Sequence, residues 1–129
     1  TTLNPGGVRI GTSEIYSITE KIPQISESLA IGQKWNNDIR IVLFVTLKEN
    51  LKINNKLINY IKLKIRKFAS PRHVPSKIIQ VNDIPRTKNG KIVELAVKNL
   101  IEGNKIKNLK SLENPNILNQ YKNITELKS

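Results

Sequence analysis

One stretch, Ile39-Arg40-Ile41-Val42-Leu43-Phe44-Val45-Thr46-Leu47, is dominated by β-branched and large apolar residues. Residues of these types are enriched in strands, where they pack well on a pleated surface. The stretch shows little alternation with polar residues, which is typical of a strand that is covered on both faces. The sequence therefore predicts a core strand here, in the centre of a sheet.

The segments around this core strand predict a small sheet with helices. Ile25–Ile31 is expected to form a half-buried strand that stops at Gly32, and Lys77–Val81 alternates as a third strand. Between the core strand and the third strand, Asn54 can cap a helix with a broad apolar face. That face comprises Leu57, Ile58, Ile61, Leu63, Ile65 and Phe68.

Shorter elements are predicted near both ends of the chain. Pro5-Gly6-Gly7 separates two strand-like segments, which is typical of a β-hairpin. Thr12 is expected to be the N-cap of a helix over Ser13–Lys21, and another helix is predicted over about 93–102. A short turn or helix should follow Pro115, and the final residues are expected to fray. The predicted fold class is α+β, with a small central sheet of about three strands, flanking helices and a short N-terminal β-hairpin.

The composition limits the class of protein. The chain has 129 residues, no Cys, no Met and a formal net charge of +12. This length predicts one domain with a modest core. The positive charge suits a nucleic acid, a membrane surface or a polyanionic small molecule, although part of it is expected to be solvated surface. Cys is absent, no targeting segment is visible, and the longest apolar run, Ile41–Val45, is far too short to span a bilayer, so we expect a cytoplasmic protein.

The segment Ile84-Pro85-Arg86-Thr87-Lys88-Asn89-Gly90-Lys91-Ile92, called the lysine loop below, is the strongest candidate for a functional site. Pro85 restricts one backbone torsion, and Asn89-Gly90 is a dipeptide that tolerates positive φ. Lys91 follows directly, so a turn is expected to hold its ammonium group. A lysine ammonium is a compact charge with three donors, which suits phosphate or carboxylate oxygens. From these residues alone, an ordinary surface lysine is an open alternative.

Several motifs resemble those of the adenylate-forming acyl-CoA synthetases. Pro85–Ile92 resembles the C-terminal signature of that family, and Gly7–Ile15 resembles the hairpin-to-helix motif that opens its mobile C-terminal domain. Three further segments are most similar to the acetoacetate-using branch of the family, namely Ala69–Pro75, Ile92–Val97 and Lys107–Pro115. The resemblance therefore covers nearly all of the chain.

This resemblance implies a domain organisation. Residues 1–129 would form one mobile C-terminal domain of an acyl-CoA synthetase. Its parts would be the hairpin motif at 1–11, an α+β core at 12–103 that carries the lysine loop at 84–92, and a C-terminal extension at 104–129.

The resemblance also implies an AMP-forming acid–thiol ligase that works in two steps. ATP and acetoacetate would give an acyl-adenylate and pyrophosphate, and the thiol of coenzyme A would then displace AMP. The family rotates this domain between the two steps. Lys91 matches the catalytic lysine of the first step, which meets the carboxylate and the phosphate. A placed cation helps there because negative charge is redistributed between their oxygens in the transition state.

Residues that would contact coenzyme A are implied by the same resemblance. Gly7 matches a glycine that lets the thiol arm pass in the second step. Arg9 matches an arginine near bound coenzyme A, and a cross-strand surface charge is its open alternative. Lys62 lies where acetyl-CoA synthetases carry an arginine that meets a coenzyme A phosphate. His73 is the only histidine and has no Cys beside it for a metal site, so it is expected to pack within its loop.

The remaining machinery is implied to lie outside this chain. The sequence has no Gly-rich phosphate loop. The acyl and adenine pockets, ATP and its Mg²⁺ are therefore expected in an N-terminal adenylation domain of the same chain. The sequence begins with Thr, and we expect it to be cut from a longer polypeptide. By itself it is expected to be inactive and to bind no cofactor tightly.

A basic nucleic-acid-binding module is the competing interpretation. The net charge and the basic cluster over residues 62–72 favour it. Trp35 is the single Trp, and no interleaved set of aromatic residues offers a platform for base stacking. We therefore expect neither a nucleic acid nor a membrane as partner.

Overall fold

The three-dimensional structure is a computed structural model, and it describes residues 2–86, 93–103 and 115–129. The strands are β1 (Thr2–Leu3), β2 (Ile10–Gly11), β3 (Ile25–Trp35), β4 (Asp38–Leu47) and β5 (Lys77–Gln80). The α-helices are α1 (Thr12–Thr19), α2 (Asn55–Phe68) and α3 (Glu94–Ile101). Short 3-10 turns cover Pro5–Gly7, Pro71–His73, Pro115–Tyr121 and Thr125–Lys128.

The main sheet has the order β3-β4-β5, so the predicted core strand is central. Strand β4 pairs antiparallel with β3 and parallel with β5. Successive side chains of a strand point to opposite faces of its sheet. The buried side chains of β4 accordingly join two separate clusters. On one face Ile41, Leu43 and Val45 pack with side chains of α1 and α2, and on the other face Val42 and Phe44 pack with Val97 of α3. The predicted α+β fold class is confirmed.

Strand β3 is longer than predicted, because Gly32 does not end it. Gly32 pairs with Ile41 inside the sheet. A Cβ atom at Gly32 would lie 2.8 Å from a methyl carbon of Ile39, so glycine permits close packing at this position. The chain reverses only at Asn36 and Asn37, whose φ values of 49° and 61° suit a two-residue hairpin turn.

Helix α2 begins as predicted but has a narrower apolar face. Asn54 Oδ1 accepts a hydrogen bond from Leu57 N at 2.8 Å, which satisfies one free donor of the first turn. Leu57, Ile61 and Ile65 are the buried residues of the helix. The predicted inclusion of Leu63 and Phe68 is wrong, since these side chains are 62% and 63% exposed. Leu63 stands midway between Ile61 and Ile65, and the helical repeat therefore turns it away from the sheet.

The N-terminal elements agree with the predicted order and differ in their limits. Strands β1 and β2 form the predicted hairpin, with Leu3 opposite Ile10. Gly11 occupies the N-cap position of α1, and Thr12, the predicted cap, is a buried residue of the helix itself. Helix α1 ends at Thr19, earlier than the predicted Lys21.

The C-terminal end is packed, so the prediction that it frays is wrong. Leu127 is 5% exposed and belongs to the cluster on the α3 side of the sheet. Its carbonyl oxygen accepts hydrogen bonds from Gln33 Nε2 and Arg40 Nη2, both at 3.1 Å. The apolar face of the sheet and these two donors together fix the end of the chain. Of the helices in the described part of the chain, none is long and apolar enough to cross a membrane.

Candidate functional site

The structure describes the first residues of the lysine loop, Ile84–Arg86, and Val93, the residue that follows the loop. Lys91 itself lies outside the described residues, so the position of its side chain stays a prediction. Val93 N donates a hydrogen bond to Pro85 O at 3.1 Å. This backbone bond joins the two ends of the segment that contains Lys91. Residues 83–86 and 93–94 are called the loop base below.

The near end of the loop base is attached to the core and to β3. Ile84 is 1% exposed and packs in the cluster on the α3 side of the sheet. The Arg86 guanidinium donates to the Glu27 carboxylate of β3. Both side chains are about one third exposed, at 33% and 34%, so water screens the attraction between them. The pair therefore contributes more to the orientation of Arg86 than to stability.

The far end of the loop base is attached through the hydroxyl of Tyr16. This hydroxyl donates to the carboxylate of Glu94, the first residue of α3, and accepts a hydrogen bond from Ala30 N at 2.9 Å. Burial raises the pKa of the Tyr16 phenol well above its usual range, and the Glu94 carboxylate adds to this rise. The phenol therefore stays protonated and keeps donating to Glu94. One hydroxyl thus connects α1, β3 and the start of α3.

The predicted residues Gly7 and Arg9 lie together on the exposed hairpin between β1 and β2. Gly7 has a φ of +79°, which glycine adopts without strain. A Cβ atom at Gly7 would meet no atom of the described residues within 4 Å, so open space lies in front of it in this part of the chain. Gly6 N donates to Asp38 Oδ1 at 3.1 Å, which connects the hairpin tip to the start of β4.

Lys62 lies on a different element from the hairpin residues. It is half-buried on α2 and lines a shallow groove of about 380 Å³ together with Arg66, Pro71 and Val74. The turn that follows α2 also borders the hairpin, because a Cβ atom at Gly6 would lie 3.1 Å from Arg72 Nη1. Lys62 and the hairpin therefore flank the same turn from two sides.

His73 has partners that the sequence analysis did not identify. Its Nδ1 lies 2.6 Å from Ser70 Oγ, and its Nε2 lies 2.5 Å from Glu14 Oε2. The Ser70 side chain also caps the turn by accepting a hydrogen bond from Arg72 N at 3.2 Å. The ring therefore joins helix α1 to the turn after α2, which agrees with the expected packing role. The signal in the sequence was the Ser-Pro-Arg-His spacing, which places the Ser hydroxyl beside the ring.

Metal ions and nucleic acids are the two other classes of ligand to consider for the described residues. They contain no group of three or more His, Cys, Asp or Glu side chains that could hold a metal ion. The Arg40 guanidinium lies 3.9 Å from the centroid of the Trp35 ring and covers that face of it. A nucleic base could not stack on the covered face without displacing Arg40.

The comparisons with known proteins agree with the fold and with the motifs. The model of the family described as AMP-binding enzyme C-terminal domain matches residues 14–91. Acetoacetyl-coenzyme A synthetase of Rhizobium meliloti is 54% identical over 128 residues, which cover 99% of this chain and 20% of that protein. The chain thus spans about a fifth of the length of this relative.

Two solved structures extend the comparison. Acetoacetyl-CoA synthetase from Streptomyces lividans superposes with a TM-score of 0.86 at 37% identity, covering 100% of this chain and 20% of that one. Brucella canis acyl-CoA synthetase gives a TM-score of 0.67 at 26% identity, covering 71% of this chain and 17% of that one. The family model spans the main sheet, α2 and all of the lysine loop except Ile92, and this chain therefore belongs to the AMP-binding enzyme C-terminal domain family.

Proposed function

We propose that this chain is the C-terminal domain of an ATP-dependent acetoacetate–CoA ligase, and that it supplies the adenylation lysine, Lys91. The observation that carries the proposal is the similarity over nearly the whole chain to acetoacetyl-CoA synthetases, with Lys91 inside the range that the family model matches. The loop base supports it, because Arg86 contacts Glu27 of β3 and the Tyr16 hydroxyl connects Glu94 to β3. A catalytic cation works best when rigid elements hold it in place.

In the first step, the acetoacetate carboxylate attacks the α-phosphorus of ATP and pyrophosphate leaves. Negative charge moves between the carboxylate, the α-phosphate and the leaving oxygen during this transfer. The Lys91 ammonium meets the carboxylate and α-phosphate oxygens and stabilises that charge. ATP arrives with Mg²⁺ in the N-terminal adenylation domain of the full-length protein, and this domain also provides the acyl and adenine pockets.

In the second step, the domain rotates and presents the hairpin in place of the lysine loop. The thiol of coenzyme A attacks the acyl carbon, and AMP leaves. Gly7 provides clearance for the pantetheine arm, because it has no side chain of its own and no atom of the described residues lies within 4 Å of its Cβ position. Lys62 is proposed to contact a coenzyme A phosphate through its ammonium group, and the Arg9 guanidinium is proposed to lie near bound coenzyme A.

The proposed domain comprises the hairpin at 1–11, the core at 12–103 and the extension at 104–129. It acts in the cytoplasm as part of the full-length protein and has no ligase activity alone. The experiment is acid-dependent exchange of labelled pyrophosphate into ATP by the full-length protein. We expect exchange with acetoacetate and much less with acetate or a long-chain fatty acid. Absence of exchange with acetoacetate, or equal exchange with all three acids, would contradict the proposed substrate.

A further inference from the structure

The C-terminal segment, residues 115–129, covers part of the main sheet. Tyr121 is 1% exposed, and its ring meets Phe44 of β4 edge to face, with centroids 4.9 Å apart. Leu118 and Leu127 are buried in the same cluster, on the face that α1 and α2 do not cover. This segment lies beyond residues 14–91, so the family model does not include it. Apolar packing holds the segment against the sheet, and its polar side chains can therefore form hydrogen bonds with neighbouring residues.

Two consecutive side chains of this segment contact the residues that lead into the lysine loop. Asn82 N donates to Gln120 Oε1 at 2.6 Å, and Gln120 Nε2 donates back to Asp83 O at 3.1 Å. The Tyr121 hydroxyl donates to the same Asp83 oxygen at 2.8 Å. Gln120 Nε2 also lies 3.1 Å from Ile117 O within its own turn, which orients the amide. Asp83 O therefore accepts hydrogen bonds from two side chains, those of Gln120 and Tyr121.

The hydrogen bonds of Gln120 and Tyr121 depend on the protonation of the phenol and on the orientation of the amide. Burial raises the pKa of the Tyr121 phenol above its usual range, and the charge of Asp83 adds to the rise. The hydroxyl thus remains a donor at any pH at which the protein works. Gln120 uses its acceptor and its donors on successive backbone groups, so rotation of the amide by a half-turn would lose these bonds.

The held residues connect directly to the loop base. Ile84 follows Asp83 and is buried, and Pro85 comes next, with its φ restricted by the ring and its carbonyl bonded to Val93 N. A shift of Asp83 would therefore move Pro85 and the hydrogen bond that joins the two ends of the loop. Only Ile84 lies between Asp83 and Pro85, and because it is buried it cannot absorb such a shift.

We propose that Gln120 and Tyr121 are positioning residues for acyl-adenylate formation, which hold the near end of the lysine loop so that Lys91 reaches the reacting oxygens. The inference rests on the proposed function and deepens it. It assigns the C-terminal segment to the first half-reaction. The second half-reaction does not need it, because the hairpin and not the lysine loop faces the active site there.

The test uses the full-length protein with Gln120→Ala, Tyr121→Phe and the double variant. Tyr121→Phe removes the hydroxyl and keeps the buried ring, and Gln120→Ala changes a half-buried side chain, so both are expected to fold. Asn119→Ala, an exposed neighbour, is the matched control. We expect the double variant to form acyl-adenylate about tenfold more slowly, since small misplacements of catalytic groups cost large factors. The loss should fall on kcat with little change in KM for ATP. Thioester formation from supplied acyl-adenylate should match that of the control.

A second readout separates positioning from a general loss of structure. In a Lys91→Ala background, adding the Gln120→Ala and Tyr121→Phe changes should cause no further loss of adenylation, because the group that they position is gone. Equal slowing of both half-reactions, an additive loss in the Lys91→Ala background, or wild-type adenylation by the double variant each overturns the inference. Full adenylation by Lys91→Ala alone would overturn the proposed function and this inference together. Loss with Lys91→Ala and none with the double variant would overturn the inference only.

Discussion

The hairpin and the loop base differ in how they are held: the hairpin tip is open to solvent, and the loop base is attached to the sheet by side chains. The hairpin tip is exposed, and Gly7 has open space in front of it. The loop base is attached to β3 through Glu27 and through the Tyr16 hydroxyl, which also contacts Glu94. The difference fits the two roles proposed for Lys91 and Gly7. A cation that stabilises a transition state must be placed within a fraction of an ångström, whereas a passage for a substrate arm needs an absence of side chains.

The largest effect is expected at the loop. Lys91→Ala in the full-length protein should slow acyl-adenylate formation about a hundredfold to a thousandfold, which is the range for loss of a group that stabilises developing charge. Pyrophosphate exchange with acetoacetate measures this step. Lys52→Ala, which removes an exposed lysine that is not part of the lysine loop, is the control and should leave exchange unchanged. A loss of less than about threefold with Lys91→Ala would place the lysine outside the reaction.

The next largest effect is expected at the hairpin. Gly7→Leu should slow thioester formation from supplied acyl-adenylate about a hundredfold, because the side chain would occupy the path of the pantetheine arm. Gly7→Ala is the matched control for the backbone, since any L-residue at a φ of +79° carries about 1–2 kcal/mol of strain. Both variants should lose similar stability in urea denaturation, and only the Leu variant should lose most of its thioester formation. Equal activity of the two variants would refute the clearance role.

A smaller effect, on stability, is expected at the far end of the loop base. Tyr16→Phe leaves Ala30 N and the Glu94 carboxylate without their shared partner, which should lower the free energy of unfolding of this chain by about 1–3 kcal/mol. Urea denaturation measures the change. Tyr60→Phe, at a more exposed tyrosine of α2, is the control and should change it by less than about 0.5 kcal/mol. If the two variants unfold alike, the Tyr16 hydroxyl does not secure the loop base.

The smallest effect is expected at Arg9, because its side chain is exposed. Arg9→Ala should raise the KM for coenzyme A about threefold, the range for an exposed ionic contact, and leave adenylation unchanged. Arg9→Lys keeps the charge and should restore most of the affinity. The steady-state KM for coenzyme A at two salt concentrations checks both statements, since salt should reduce the difference. An unchanged KM would support the open alternative of a surface charge.

Local signals predicted much of this fold. The β-branched run of β4, the Asn54 cap and the Pro-Gly-Gly hairpin all depend on neighbours in sequence, and all three are confirmed. Gly32 was predicted to end β3, but a glycine is present there because a methyl group of Ile39 across the hairpin leaves no room for a side chain. Leu63 was assigned to the apolar face from its residue type, although the helical repeat turns it away from the sheet, and Phe68 is exposed as the last residue of α2.

The candidate site was predictable in part for a similar reason. The residues of the lysine loop could be recognised from their own turn chemistry and from the resemblance of the motif. Tyr16 and Glu94 are 78 positions apart, and Tyr121 and Asp83 are 38 apart, so no local pattern pairs them. These contacts exist because the sheet brings α1, α3 and the C-terminal segment around the loop base. A sequence pattern can therefore propose a lysine for the reaction, whereas the side chains that hold the loop base follow only from the fold.

The most direct test of the account measures both half-reactions on both variants, Lys91→Ala and Gly7→Leu, in the full-length protein. Pyrophosphate exchange reports adenylation, and release of coenzyme A thioester from supplied acetoacetyl-adenylate reports the second step. We expect a crossed result, in which Lys91→Ala loses the first activity and keeps the second, and Gly7→Leu does the reverse. If each variant slows both half-reactions by the same factor, the alternation of hairpin and lysine loop in one active site is wrong.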